Sequence, residues 1–152
     1  MKIAHWQSQD QHPIKQLNYD NLLGACTGNE GAPFEQQHCD THQKNDDISR
    51  NPANPLHQVE RFIRFVGDGQ VCSDDPTFNT DLDLILNLNV SFLKRNRKAT
   101  LEAFQLTLKK RGPLQRPTIE RLLREWNGEL DAGELKPYCQ VVVYWLRKKL
   151  AR

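Results

Sequence analysis

The sequence predicts an α+β fold, in which a small irregular head with a hairpin is followed by a helical C-terminal region. Three observations point there. Residues 1–55 are dense in Asn, Gln, His, Asp, Gly and Pro and carry few periodic apolar positions. Residues 59–66 carry the apolar and aromatic Val59, Phe62, Ile63, Phe65 and Val66, and the Gly67-Asp68-Gly69 turn then leads into Gln70-Val71-Cys72, the pattern of a β-hairpin. From Asp81 onward apolar residues recur at three-to-four spacing, the period of a helix with one buried face.

Taken in order, Leu17-Asn18-Tyr19-Asp20-Asn21-Leu22-Leu23-Gly24-Ala25-Cys26 reads as a helical turn or two. Gly28, Gly31 and Pro33 break the chain, and Asn51-Pro52-Ala53-Asn54-Pro55 closes the head as a turn-rich connector. These boundaries predict a head over residues 1–55 and a hairpin-plus-helix region over 56–152, together one compact unit. A first helix starts at Asp81 with Leu82, Leu84, Ile85, Leu86 and Leu88. A second covers about 90–111, with Leu93, Leu101, Phe104 and Leu108, and stops at Gly112-Pro113. Pro117-Thr118-Ile119-Glu120 opens a third, which Asn127-Gly128 ends. The last has Pro137 in its first turn and carries Val141, Val142, Trp145, Leu146 and Leu150.

Composition narrows the function classes. The 152 residues include 21 Lys plus Arg, 19 Asp plus Glu and five His, for a formal charge of +2. Hydrophobic residues make up 38% and mean hydropathy is −0.73, and no apolar run approaches the roughly 20 residues of a membrane span. The start, Met1-Lys2-Ile3-Ala4-His5-Trp6, has no apolar signal stretch, so a cytoplasmic protein is expected. The small net charge conceals an asymmetry. Residues 1–90 hold six Lys/Arg against 13 Asp/Glu, whereas residues 91–152 hold 15 against six. Opposed halves suit an acidic, His-bearing part for metal chemistry and a basic part for nucleic acid or an acidic partner. Solvated helix faces would also account for the basic half. The four cysteines, Cys26, Cys39, Cys72 and Cys139, show no paired spacing and read as thiols or metal ligands, not as a disulfide framework.

Three chemistry-bearing features follow one another: His5, then Asn21-Leu22-Leu23 with Cys26, then His38-Cys39-Asp40-Thr41-His42-Gln43-Lys44. A metal-dependent nuclease needs a base for water, a group that fixes the base, and a cation facing the phosphate. Histidine is the side chain whose ordinary pKa lies near neutrality, so His5 suits the base. The Asn21 amide suits the orienting group, although Asn is equally a preferred helix cap. Asp40 and His42 offer oxygen and nitrogen to Mg²⁺, Mn²⁺ or Zn²⁺, and Lys44 can neutralise a phosphate. Cys26 and Cys39 fit either buried thiols or zinc ligands.

The order His5, Asn21-Leu22, Cys26, Cys39-Asp40, Lys44 resembles the HNH (ββα-metal) endonucleases. More narrowly, Ile3-Ala4-His5-Trp6, the stretch from Leu17 to Cys26, His38-Cys39-Asp40-Thr41-His42-Gln43-Lys44-Asn45, and Leu84-Ile85-Leu86-Asn87-Leu88-Asn89 with Leu93 and Arg95 resemble the HNH effectors of Septu-type and retron-associated anti-phage systems. The likeness covers about residues 3–97. It implies an irregular ββα-metal head, His5 as general base, Asn21 as orienting residue, Asp40 as final metal ligand with His42 as its competitor, and Lys44 as the trailing catalytic lysine. It further implies a divalent ion (Mg²⁺ or Mn²⁺, with Zn²⁺ as an option), a structural Zn²⁺ held partly by Cys26 and Cys39, and an ABC/SMC-type ATPase partner. The chain departs from that layout at Ala4, where relatives carry an acidic metal ligand, and no cysteine stands ahead of Cys26, so either the chain is a shortened form or Cys26 and Cys39 do not make a complete zinc site.

The expectation is thus a metal-dependent endonuclease subunit of a defence complex that hydrolyses phosphodiesters in DNA or RNA. Its rival is a catalytically degenerate adaptor of the same fold that binds the ATPase or nucleic acid, with Ala4 as its mark. A zinc-stabilised DNA-binding module is a third reading, against which stands the crowding of neighbours His38 and Cys39 on one small ion. No aromatic stacking pattern is visible that would favour single strands.

Overall fold

A computed structural model describes residues 1–109, 112–130 and 134–151 of the chain. Its packing divides the α+β chain into two units, Met1–Val66 with Gln70–Ser91, and Gly67–Gly69 with Phe92–Arg152. The first unit thus continues well past the expected head boundary at residue 55.

The first unit opens with β1 (Lys2–His5), paired antiparallel to β2 (Leu22–Ala25) in the register Lys2↔Ala25, Ile3↔Gly24, Ala4↔Leu23 and His5↔Leu22. The expected helical segment over 17–26 is therefore only a 3₁₀ turn at Tyr19–Asn21 followed by a strand. Asn18 caps that turn by accepting from the Asp20 N–H at 3.0 Å, after which Leu22 turns extended to pair with His5. So short an apolar run carries no readable period, and the partner strand decides its conformation. Side chains alternate along β1, placing Lys2 and Ala4 on one face and Ile3 and His5 on the other. Ala4 is 3% exposed and Ile3 71%.

A one-turn helix, α1 (Asp40–Gln43), follows the two strands. Buried Gln43 fastens it by donating its amide to the His5 carbonyl at 3.3 Å and to the Asp46 carbonyl at 2.9 Å. The expected hairpin is present but shorter: β3 (Arg64–Phe65) pairs with β4 (Val71–Cys72), and the stretch before it is a helical turn, α2 (Val59–Phe62). Val59 and Phe62 pack against the cluster of Val71, Phe78 and Leu82, a placement that a helical turn allows and a continuous strand would not. Next comes α3 (Pro76–Thr80), whose start precedes the expected one at Asp81. The cause is local: Asp75 accepts from the N–H groups of Thr77 and Phe78, and Pro76 is pre-set for a first helical turn. A π-helical turn, Asp81–Ile85, continues it. Buried Asp81 there accepts from the backbone N–H of Ser49 at 2.8 Å and from its hydroxyl.

The second unit contains α4 (Ser91–Lys109) from Phe92 onward, α5 (Arg116–Trp126) and α6 (Cys139–Leu150). The expected second helix extends to 111; residues 110 and 111 lie outside the described residues. Helix α6 begins two residues after Pro137, because Tyr138 sits in the left-handed region at φ 57°. Leu93, Phe104, Leu108, Ile119, Leu122, Val142 and Leu146 form the buried interior, and the Phe104 ring meets those of Trp126 and Trp145 edge-on. The Gly67–Gly69 turn belongs here as well. Arg97 donates its Nε hydrogen to the Gly69 carbonyl at 2.6 Å, and a Cβ on Gly69 (φ 88°) would lie 2.0 Å from the Lys94 carbonyl oxygen.

Among the described residues no helix is long and apolar enough to cross a membrane. Helices α5 and α6 pack against each other, and Leu146 of α6 is fully buried. Leu146→Ala is expected to cost about 3 kcal/mol, read as a lower urea midpoint with an unchanged m-value.

Candidate functional site

His5 ends β1, and its imidazole is gripped from both sides. Nε2 lies 3.0 Å from the Gln16 carbonyl oxygen and Nδ1 lies 2.8 Å from the Gln9 amide nitrogen. A carbonyl only accepts, so Nε2 carries the hydrogen in this arrangement and Nδ1 offers its lone pair. The Asn21 carboxamide, 2% exposed, has a task other than the expected contact with that ring. Its oxygen accepts from the Gln7 N–H at 2.8 Å, and its nitrogen donates to the Gln7 carbonyl at 3.0 Å and the Lys15 carbonyl at 3.2 Å. Asn21 is neither a helix cap nor a direct ring partner. It pins both limbs of the loop that supplies Gln9 and Gln16, and so reaches His5 through the backbone.

Asp40 starts α1 with its carboxylate engaged by Lys2: the ammonium donates at 2.8 Å and also reaches the Thr41 hydroxyl at 2.7 Å. The same contact raises the Lys2 pKa above its ordinary value. His42 has Nδ1 2.9 Å from the Ile85 carbonyl oxygen and lies stacked on the Phe34 ring at 4.1 Å. The Lys44 ammonium is 5.0 Å from the centre of that ring. His42 and Lys44 thus share the Phe34 ring, whereas the Asp40 carboxylate is held by Lys2. Ala4 adds no donor on that strand face.

Convergence occurs elsewhere. Among the described residues, the three metal-capable side chains whose ligand atoms come together are Cys26, His38 and Cys39, all within 4.8 Å of one another. His38 Nδ1 lies between the sulfurs, 3.7 Å from Cys26 Sγ and 3.2 Å from Cys39 Sγ. Cys26 follows β2, and the chain returns through a turn at Gly28 whose carbonyl accepts from the His38 N–H at 3.0 Å. At Gly28 the φ is 61°, and a Cβ would lie 2.3 Å from the His38 carbonyl oxygen, so only glycine fits.

The crowding expected for neighbours His38 and Cys39 is resolved by the backbone. Cys39 takes φ 53°, a left-handed conformation costly for a residue with a side chain, and its N–H is tied to the Leu86 carbonyl at 2.8 Å. That local reversal brings its sulfur back to the preceding imidazole. Two thiols and an imidazole at this separation could bind a metal ion. The resemblance implies Cys26 and Cys39 for this role and the sequence offers His38 or His42 beside them; the strained backbone at Cys39 is what brings His38 to the two sulfurs.

Removing the Asn21 amide would leave the Gln7 N–H and carbonyl without their partner, while the Lys15 carbonyl would keep the Asn18 N–H. Asn21→Ala is expected to cost about 2–3 kcal/mol in urea unfolding and to broaden or shift the His5 ring resonances in NMR spectra. Compared with known proteins, the chain matches no protein-family model and no curated protein.

Proposed function

We propose that this chain is the HNH-type endonuclease subunit of an anti-phage defence complex, hydrolysing phosphodiester bonds in DNA or RNA. The observation that carries the reading is the state of His5 at the end of β1, ahead of β2 and α1. Its Nε2–H is committed to the Gln16 carbonyl, which holds the neutral ring with Nδ1 as the basic nitrogen. The group now on Nδ1 is the side-chain amide of Gln9, which a water can replace. His5 then takes a proton from that water as its oxygen attacks phosphorus, and the bond from phosphorus to the leaving oxygen breaks. The leaving oxygen acquires its proton from solvent. Asn21 serves as the positioning residue, because the loop it pins delivers Gln16. Lys44 is the candidate cation for a phosphate oxygen. No step is assigned to a metal at Asp40, given its pairing with Lys2. The net positive helical unit is the proposed docking region for an ABC/SMC-type ATPase.

A second reading has a specific observation in its favour. The Lys2–Asp40 pair, made from the β1 face that Lys2 shares with Ala4, neutralises the carboxylate that the HNH layout reserves for a cation. On that view the head is an adaptor that binds nucleic acid or the ATPase without turnover. One assay separates the two. The chain with its ATPase partner is incubated with plasmid DNA and total RNA in Mg²⁺ or Mn²⁺, beside a His5→Ala protein. Cleavage that falls by about a hundredfold or more in His5→Ala supports the nuclease. Cleavage unaltered by the substitution removes His5 from the mechanism, and an assembled complex without cleavage favours the adaptor.

For the Cys26–His38–Cys39 cluster we propose zinc, which the two thiolates and the imidazole would hold. Zn²⁺ addition is expected to raise the melting temperature of the metal-stripped protein. Co²⁺ in its place is expected to give a thiolate charge-transfer absorption that Cys26→Ser abolishes. A spectrum that Cys26→Ser leaves unaltered would remove the cluster as the binding site.

A further inference from the structure

At the His5 end of the first hairpin there is a cavity of about 390 Å³, lined by Trp6, Tyr19, Asp20, Leu22, Asn54 and Pro55 among others. Trp6 directly follows His5 in the chain, and Leu22 is the register partner of His5. The cavity therefore adjoins the residue to which the proposed reaction assigns the water. Its walls are built, not incidental. The Trp6 indole N–H donates to the Ile48 carbonyl at 2.6 Å, and the His57 ring meets the indole edge-on at 5.3 Å, so the aromatic plane is held in one orientation. His57 is itself fixed by the Asn51 N–H, which donates to its Nδ1 at 2.6 Å. The buried Asn51 amide donates to the Asp20 carbonyl at 2.9 Å and accepts from Ala53, tying the 51–55 connector to the turn that presents Tyr19. Tyr19 stands 85% exposed.

Two aromatic rings, an aliphatic side chain and a proline make walls that suit a flat ring, and the volume falls within the range of small-molecule sites. No cation is among the lining residues, so a phosphate finds no partner inside, whereas an uncharged heteroaromatic base does. The one charged side chain of the lining is the carboxylate of Asp20, which only accepts hydrogen bonds. Guanine is the base that offers a carboxylate two adjacent donors, its ring N–H and its exocyclic amine.

We propose that this cavity is a base-binding subsite, which takes one unstacked nucleobase, guanine by preference, from the strand whose phosphate meets His5. The inference rests on the nuclease reading for the position of that phosphate, and its test reads binding alone. Full-length protein labelled with ¹⁵N at tryptophan is titrated with GMP, dGMP, AMP and CMP while the three indole N–H resonances are followed. The Trp6 resonance, identified by its loss in Trp6→Phe, is expected to shift with GMP or dGMP at lower concentration than with AMP or CMP, while those of Trp126 and Trp145 stay in place.

Tyr19→Ala, which removes an exposed ring and leaves the core intact, is expected to weaken binding about tenfold, the order of one lost stacking contact. Asp20→Asn is expected to erase the guanine preference. A preference for GMP over dGMP would identify an RNA strand as the source, and the reverse a DNA strand, either result upholding the subsite. A Trp6 resonance that no nucleotide moves at millimolar concentration, or a shift indifferent to Tyr19→Ala, overturns it, and equal affinity for all four overturns the guanine assignment. Binding without any cleavage of nucleic acid leaves the subsite standing and removes the nuclease reading. Cleavage without a Trp6 shift does the opposite.

Discussion

One carboxamide holds the working end of the first unit together. The Asn21 side chain satisfies both backbone groups of Gln7 and the carbonyl of Lys15, so the loop from β1 to β2 leaves and returns along a fixed course. Everything proposed for the His5 ring depends on that course, since Gln9 and Gln16 are loop residues and their contacts set which nitrogen is basic. The aromatic cavity depends on it as well, through Trp6 at one limb of the loop and Tyr19 at the other. A buried amide with all its partners in place is a stiff element, and it is costly to break because the Gln7 N–H and carbonyl lose their partner together.

Two other constraints act at a distance from that clamp. Gln43 fastens α1 to the carbonyl of His5, which keeps the third element of the ββα order against the first strand. The left-handed Cys39 spends backbone strain to aim its sulfur at His38, and strain of this kind persists where surrounding contacts over-determine it. Here those contacts are the Cys39 N–H on the Leu86 carbonyl and the close approach at Gly28. A bound metal would add its own ligand energy to the same geometry, which is why the strain and the donor cluster are read as one feature.

Legibility from sequence divides along physical lines. The three long helices follow from the period of their apolar positions, because α4, α5 and α6 each bury one face over several turns. Elements of four or five residues are not legible that way. The strand at Leu22–Ala25 is extended because His5 and Ala4 pair with it, and α2 is helical because Val59 and Phe62 meet Phe78. The early start of α3 was available in the order Asp75-Pro76, a capping signal placed ahead of the leucine run. Among site residues, His5, Cys26 and Cys39 stand out by type and order. The Gln9 and Gln16 contacts, the third donor His38 and the meeting of Trp6 with Tyr19 arise from loop closure, which no spacing rule contains.

The absence of a stacking pattern in the sequence is instructive in this respect. Interleaved aromatics are looked for along a strand or helix, where a regular period would place them on one face. Trp6 and Tyr19 are separated by an irregular loop, and only the return enforced by Asn21 and Asn51 sets them around one cavity. The same closure puts Leu22, the partner of His5, into the cavity wall. Base recognition and water activation would then share a single mechanical support: loosening the loop would degrade both, whereas altering Tyr19 alone would degrade only the first.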